Sequence, residues 1–231
     1  MPKKRIYTEQ VTAQMTRINH GDKVMLLRTQ TQIRLSTSDR LLGTVIMTNP
    51  GSYKMRNHPE WQTFSTGEGD RDVIQGIGPP DTTMQNLIKV VRKAYEPEYP
   101  KGYLSVFNIT ALVEPDGEKI GGYHQEVMDH LQARDIDRSV LFEREVYDQE
   151  AFQQQCEASS FIMIGFLNGV FAEEVNRIRD WSTRYEHKLV YALDRRNQLV
   201  HPFCWRLNPA YRQQAVERLK EALLGGCENP K

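Results

Sequence analysis

The sequence predicts an α/β protein: a three-layer α/β/α sandwich around a mainly parallel central sheet of four to six strands. Two patterns carry this. Short continuous apolar runs, of the kind that form strands buried on both faces, recur along the chain. Between them lie segments with apolar residues at helical spacing, and strands alternating with helices imply a parallel sheet covered on both sides. The length, 231 residues, suits a single domain over residues 1–231 with room for a sizeable core.

Residues 1–20 read as a partly extended arm or a helix. "KVMLLRTQTQIRLS" (23–36) shows mixed alternation and reads as one or two antiparallel strands near an edge. "GTVIMTN" (43–49) is the first buried strand. Residues 51–80 are rich in Gly, Pro, Asp and Arg and read as one long active-site loop or lid. In "DTTMQNLIKVVRKAY" (81–95) apolar residues fall at 84, 87, 88, 90 and 91, and Asp81 is placed to cap the helix. "GYLSVFNIT" (102–110) is the second buried strand. Residues 122–136 and 145–159 read as helices, "SFIMIGFLN" (160–168) as the third strand and 170–185 as an amphipathic helix. "HKLVYALDRR" (187–196) is the fourth strand, and 208–225 a closing helix ending on Gly225-Gly226.

Lys+Arg and Asp+Glu each number 30, a balance that gives no support to polyelectrolyte-style nucleic-acid binding and still permits a local basic face. No run approaches the roughly 18–20 apolar residues that cross a membrane, and "MPKKRIYTEQ" lacks the apolar segment of a signal peptide. Its Lys3-Lys4-Arg5 cluster reads as solvated or as a phosphate contact. Cys156, Cys204 and Cys227 form no CxxC pair and no metal-ligand spacing with histidine, so a reducing cytoplasm, no metal and no cofactor are expected. "GIGPP" (76–80) is no dinucleotide fingerprint, because it follows no predicted strand and two prolines come next.

In a parallel α/β sheet, ligands gather at the carboxyl ends of the strands. The first buried strand ends at Asn49-Pro50-Gly51 and the second at Asn108. The third ends at "GFLNG", with Gly165 and Asn168, and the fourth leads into "LVHPFCWRLNP", with His201. Each has a plain reading: turn chemistry for Asn-Pro-Gly, local backbone pairing for Asn108, a buried hydrogen-bonded side chain for His201, a helix cap for Asp81. Together they place two amides and an imidazole at one sheet edge, the form of a preorganised polar site.

The order "IMTNPGSY", "YLSVFNITALVEPDG", "LVHPFCWRLNP" resembles the uracil-DNA glycosylase superfamily, over roughly residues 40–224. The chain is also similar to an uncharacterised bacterial domain family with the pattern FIMLNPS, DPT, VVNLFA, HPLY. The glycosylase resemblance implies a uracil-DNA glycosylase-like fold and hydrolysis of an N-glycosidic bond in DNA. Asn49 would then orient water, Pro50 and Gly51 line the pocket, Tyr53 stack on the base and Asn108 read its edge. His201 would donate to the departing base, with Asp81 or a carboxylate of 54–80 as a base, while Phe203, Trp205 and Arg206 would contact nucleic acid. The chain departs from the family in having Asn rather than Asp at 49, Phe after His201-Pro202, and no iron–sulfur cysteine set.

A base-excising enzyme is one reading. A non-catalytic nucleotide- or nucleic-acid-binding module, as in phage defence or base modification, is the second, and a metabolic enzyme on a small molecule is the residual. The partner is DNA or a nucleotide and not a membrane. A monomer or a homodimer fits, the latter through exposed Trp181 and Tyr185.

Overall fold

The computed structural model describes residues 7–20 and 23–225. The Lys3-Lys4-Arg5 cluster, Gly226 and Cys227 lie outside the described residues. In chain order the elements are β1 (Gln10–His20), β2 (Lys23–Arg34), β3 (Leu41–Met47), α1 (Trp61–Thr66), β4 (Val73–Gly78), α2 (Thr82–Tyr95) and β5 (Tyr103–Asn108). Then come α3 (Ile120–Ala133), α4 (Arg144–Tyr147), α5 (Gln149–Ala158), β6 (Phe161–Ile164), α6 (Ala172–Ser182), β7 (Leu189–Val190) and α7 (Pro209–Gly225).

The α/β class holds, and the sheet differs from the expectation. It has seven strands in the order β4-β1-β2-β5-β3-β6-β7, and it is mixed rather than mainly parallel. β5, β3, β6 and β7 run parallel, while β2, β1 and β4 add an antiparallel half. The difference has a sequence origin. Residues 10–20 carry a period-two pattern, with Val11, Ala13 and Met15 buried and Thr12, Gln14 and Thr16 half-buried, so they form β1 and no helix. β2 accordingly lies inside the sheet between β1 and β5 and not near an edge. The 51–80 stretch is no continuous loop either: it holds α1 and the edge strand β4, which contains the "GIG" glycines. Two-residue β7 is all that forms of the fourth predicted strand.

Two cores form on opposite faces of the parallel half. On one face Val45, Met47, Val106 and Met163 pack with Met84, Leu87, Ile88 and Val91 of α2 and Ala215, Val216 and Leu219 of α7. On the other Ile46, Phe107, Ile162 and Ile164 pack with Phe152 and Cys156 of α5 and Ile178 of α6. The alternation of side chains along β3, β5 and β6 therefore feeds both cores, which is why those strands read as unbroken apolar runs. α2 starts where Asp81 accepts a hydrogen bond from Met84 N–H at 2.9 Å, as the sequence predicts. Among the described residues no helix is long and apolar enough to cross a membrane.

Candidate functional site

The carboxyl ends of β5, β3 and β6 lie side by side because the strands are parallel neighbours, with Met47 opposite Asn108 and Ile46 opposite Ile164. Val106 faces the α2–α7 core, so strand alternation points Asn108 to that same face, and Asn49 continues the phase of Val45 and Met47. The Asn108 side chain is 0 % exposed, and neither its amide nitrogen nor its oxygen has a hydrogen-bond partner. Such a group costs roughly 1–3 kcal/mol to bury unless something fills the vacancy. Asn49 is 6 % exposed and its Nδ2 donates to the Glu114 carbonyl at 2.6 Å, leaving Oδ1 as its acceptor.

Beside these amides sits a charged cluster. Arg28 of β2 is buried, its guanidinium lying 5.3 Å from the centre of the Tyr53 ring, and its Nε and Nη1 make no hydrogen bond. Asp81 Oδ2 stands 3.8 Å from Arg28 Nη1 while Oδ1 caps α2. The Asn49-Pro50-Gly51 turn lies against this carboxylate: a Cβ on Gly51, whose φ is +64°, would stand 3.9 Å from Asp81 Oδ2. Burial draws the Arg28 guanidinium below its ordinary pKa, and Asp81, Tyr53 and Glu143 oppose that. Glu143 closes the gap where β2 and β5 part. Its Oε1 accepts the Gln30 N–H at 2.7 Å, with Gln30 held at φ 50°, and the Asn108 backbone N–H lies near the carboxylate. Burial pushes the Glu143 carboxyl up to about 8, although those N–H groups and Arg28 pull it down.

His201 caps the 3₁₀ turn Pro202–Arg206, with Nδ1 accepting the Phe203 N–H at 3.3 Å. Burial lowers its pKa to about 4, so the ring is neutral. An accepting Nδ1 assigns the proton to Nε2, which is buried without a partner. The turn is pressed on the end of β6: a Cβ on Gly165 would meet the Val200 carbonyl at 2.7 Å and Pro202 Cδ at 2.8 Å. Asn86 of α2 holds it from the other side, donating to the Pro202 carbonyl at 3.0 Å.

Several expected roles are overturned. Tyr53 is 1 % exposed, its hydroxyl donates to the Val11 carbonyl at 3.0 Å and its ring is taken up by Arg28, so it is core and not a stacking platform. Burial lifts its phenol to about 12. Trp205 is 0 % exposed, with Nε1 donating to the Val200 carbonyl at 3.2 Å, and is no nucleic-acid contact. Phe203 and Arg206 are exposed, and the guanidinium stacks 4.7 Å from the Phe203 ring centre. Asn168 is exposed beyond β6, in a shallow cleft of about 190 Å³ that it shares with Leu167, Val175 and Leu199 and not with Asn49. Tyr185 is buried, and Trp181 is half-buried against Phe152, so neither offers an open dimer face.

Sequence reasoning missed Arg28 and Glu143. A lone arginine directly after the apolar "VMLL" was a readable signal for the first. Glu143 had none, because the group it holds, Gln30, lies 113 positions away. Comparison with protein-family models, with curated proteins and with solved structures finds no match to this chain.

Proposed function

We propose that the protein is a DNA glycosylase-like enzyme, which reads a modified or damaged base and hydrolyses its N-glycosidic bond. The observation that carries this is the Asn108 amide, wholly buried with donor and acceptor both unpaired at the end of a central strand. An amide offers the paired donor and acceptor that the edge of a base matches. The motif order shared with the uracil-DNA glycosylase superfamily supports the same reading. In this scheme Asn49 Oδ1 accepts a hydrogen bond from the attacking water, whose oxygen bonds to the sugar carbon as the bond to the base nitrogen breaks. The electron pair leaves with the base, and His201 Nε2–H donates to the oxygen on which that charge collects. The proton of the water passes to Asp81 Oδ2, the carboxylate oxygen not used in capping α2. The three side chains are nearly closed from solvent, so the covering turns must part for a base to enter.

A second reading, binding without chemistry, is favoured by one observation: Asn49 Nδ2 and Asp81 Oδ1 are both already engaged in structural bonds. The deciding experiment incubates the protein with oligonucleotides carrying uracil, deaminated purines or phage-type modified bases and scores alkali-labile abasic sites. Cleavage with one of these, lost in Asn108→Ala, is the expected result. Base-selective binding with no abasic sites in any oligonucleotide would establish the binding module instead.

A further inference from the structure

A second feature lies along the same face, outside the Asn49–Asn108–His201 site. A cleft of about 590 Å³ runs between α2 and α7, lined by Lys89, Arg92, Lys93, Glu96 and Arg212 among others. On a chain with no net charge this is a concentration of four cations around one lining carboxylate. Two of the cations are committed: Lys93 Nζ pairs with Glu96 at 2.6 Å, and Arg92 pairs with buried Glu9 behind the cleft. Lys89 and Arg212 have no carboxylate in ion-pair range among the described residues, and both are half-buried. A half-buried side chain has less rotamer freedom to lose, which lowers the entropy lost when an anion docks.

The placement is directional. Lys89, Arg92 and Lys93 fall at i, i+3 and i+4 on one face of α2, and Asn86 lies one turn towards its start. Asn86 holds the Pro202 carbonyl, so α2 carries at one end the turn with His201 and, from one turn further along, the cations of the cleft. From residue 89 to 93 the helix advances about 6 Å at ~1.5 Å per residue. That matches about three successive phosphates of one strand in a duplex, at ~3.4 Å of axis each.

We propose that the α2–α7 cleft binds the phosphate backbone of the nucleic-acid strand whose base is presented to Asn108, with Lys89 and Arg212 as its principal contacts. The inference rests on the nucleobase reading above for the strand's orientation, while binding in the cleft can be tested without it. It implies that the substrate is a polynucleotide and not a free nucleotide.

The test is fluorescence anisotropy of labelled single-stranded and duplex DNA, titrated across salt concentrations. A variant carrying Lys89→Glu and Arg212→Glu is compared with one carrying Arg195→Glu and Arg196→Glu, exposed charges outside the cleft. With about three phosphates engaged, the log–log salt slope should lie near −2 for single strands and near −3 for duplex. The cleft variant should lower the slope by between about 1 and 2 and weaken binding at least tenfold, with an unchanged melting temperature. The Arg195/Arg196 variant should bind as the parent does. Absence of salt-dependent DNA binding, equal loss in both variants, or binding of heparin but not DNA would overturn the proposal. Asn108→Ala separates the two readings: it should erase discrimination between bases and leave the salt slope intact. A variant that loses neither would sink the base-reading site while sparing the cleft.

Discussion

At the scale of the residue, the unpaired amide of Asn108 makes opposite predictions for stability and for function. A side chain kept only for structure would be bonded, and its removal would destabilise the fold. Here both polar atoms are buried without partners in the free protein. Asn108→Leu has nearly the same volume and removes the desolvation cost, so it should leave the fold as stable or raise stability by about 1 kcal/mol. The same change should abolish selective binding of any base. Denaturant titration with a matched binding titration checks this, and a loss of more than about 2 kcal/mol would show that Asn108 is bonded in solution. Gain of stability with loss of function is the pattern expected where a site is strained for a ligand.

At the scale of the element, the approach of the His201–Pro202 turn to β6 depends on Gly165 having no side chain. A Cβ there would lie 2.7 Å from the Val200 carbonyl, so Gly165→Ala must push the turn, and the His201 ring with it, away from the strand ends. Gly43→Ala is the control: its Cβ would strike the Phe161 ring at 2.3 Å, at the opposite end of β3. Both variants should lose about 1–3 kcal/mol by overpacking. Only Gly165→Ala should also cost base excision or base binding, measured below the melting temperature of both. Equal functional loss in the two would mean that the turn plays no part. The elements also divide what was legible in the sequence. β3, β5, β6 and α2 announced themselves, because strands feeding two cores are apolar throughout and α2 carries its cap and its stripe in one segment. Of the antiparallel half only β2 was read, since β1 and β4 are polar on alternate residues and resemble an arm and a loop when their partners are unknown. Asn49, Asn108 and His201 were singled out by strand-end position, and Asp81 as the cap of a helix. Tyr53 and Trp205 were misassigned because an aromatic beside a site reads the same whether it faces ligand or core.

At the scale of the whole molecule, two buried groups titrate in opposition and set the pH range of greatest stability. His201 has a folded pKa of about 4 against a reference of 6.5. As pH falls through this interval the unfolded chain takes up a proton that the folded protein refuses, and stability drops by up to roughly 3 kcal/mol. Glu143 has a folded value of about 8 against a reference of 4.5. As pH rises between these, the unfolded chain releases a proton that the folded protein keeps, and stability drops by up to roughly 5 kcal/mol. Between 4.5 and 6.5 the two slopes nearly cancel, so the curve should show a mildly acidic plateau, falling below pH 4.5 through His201 and between pH 6.5 and 8 through Glu143. Glu143→Gln separates the contributions. Its side-chain oxygen can still accept the Gln30 N–H that Glu143 holds at 2.7 Å, while the ionisation is gone. Urea midpoints measured from pH 4 to 9 should show the alkaline decline in the parent and a flat alkaline limb in Glu143→Gln, whose acid decline, no longer offset by Glu143, should begin near pH 6.5 in place of pH 4.5. If the parent shows no decline between pH 6.5 and 8, Glu143 is ionised in the folded protein. Arg28, the cation beside it, would then be its charge partner, and β2 and the start of α4 would be joined by an ion pair in place of a protonated acid.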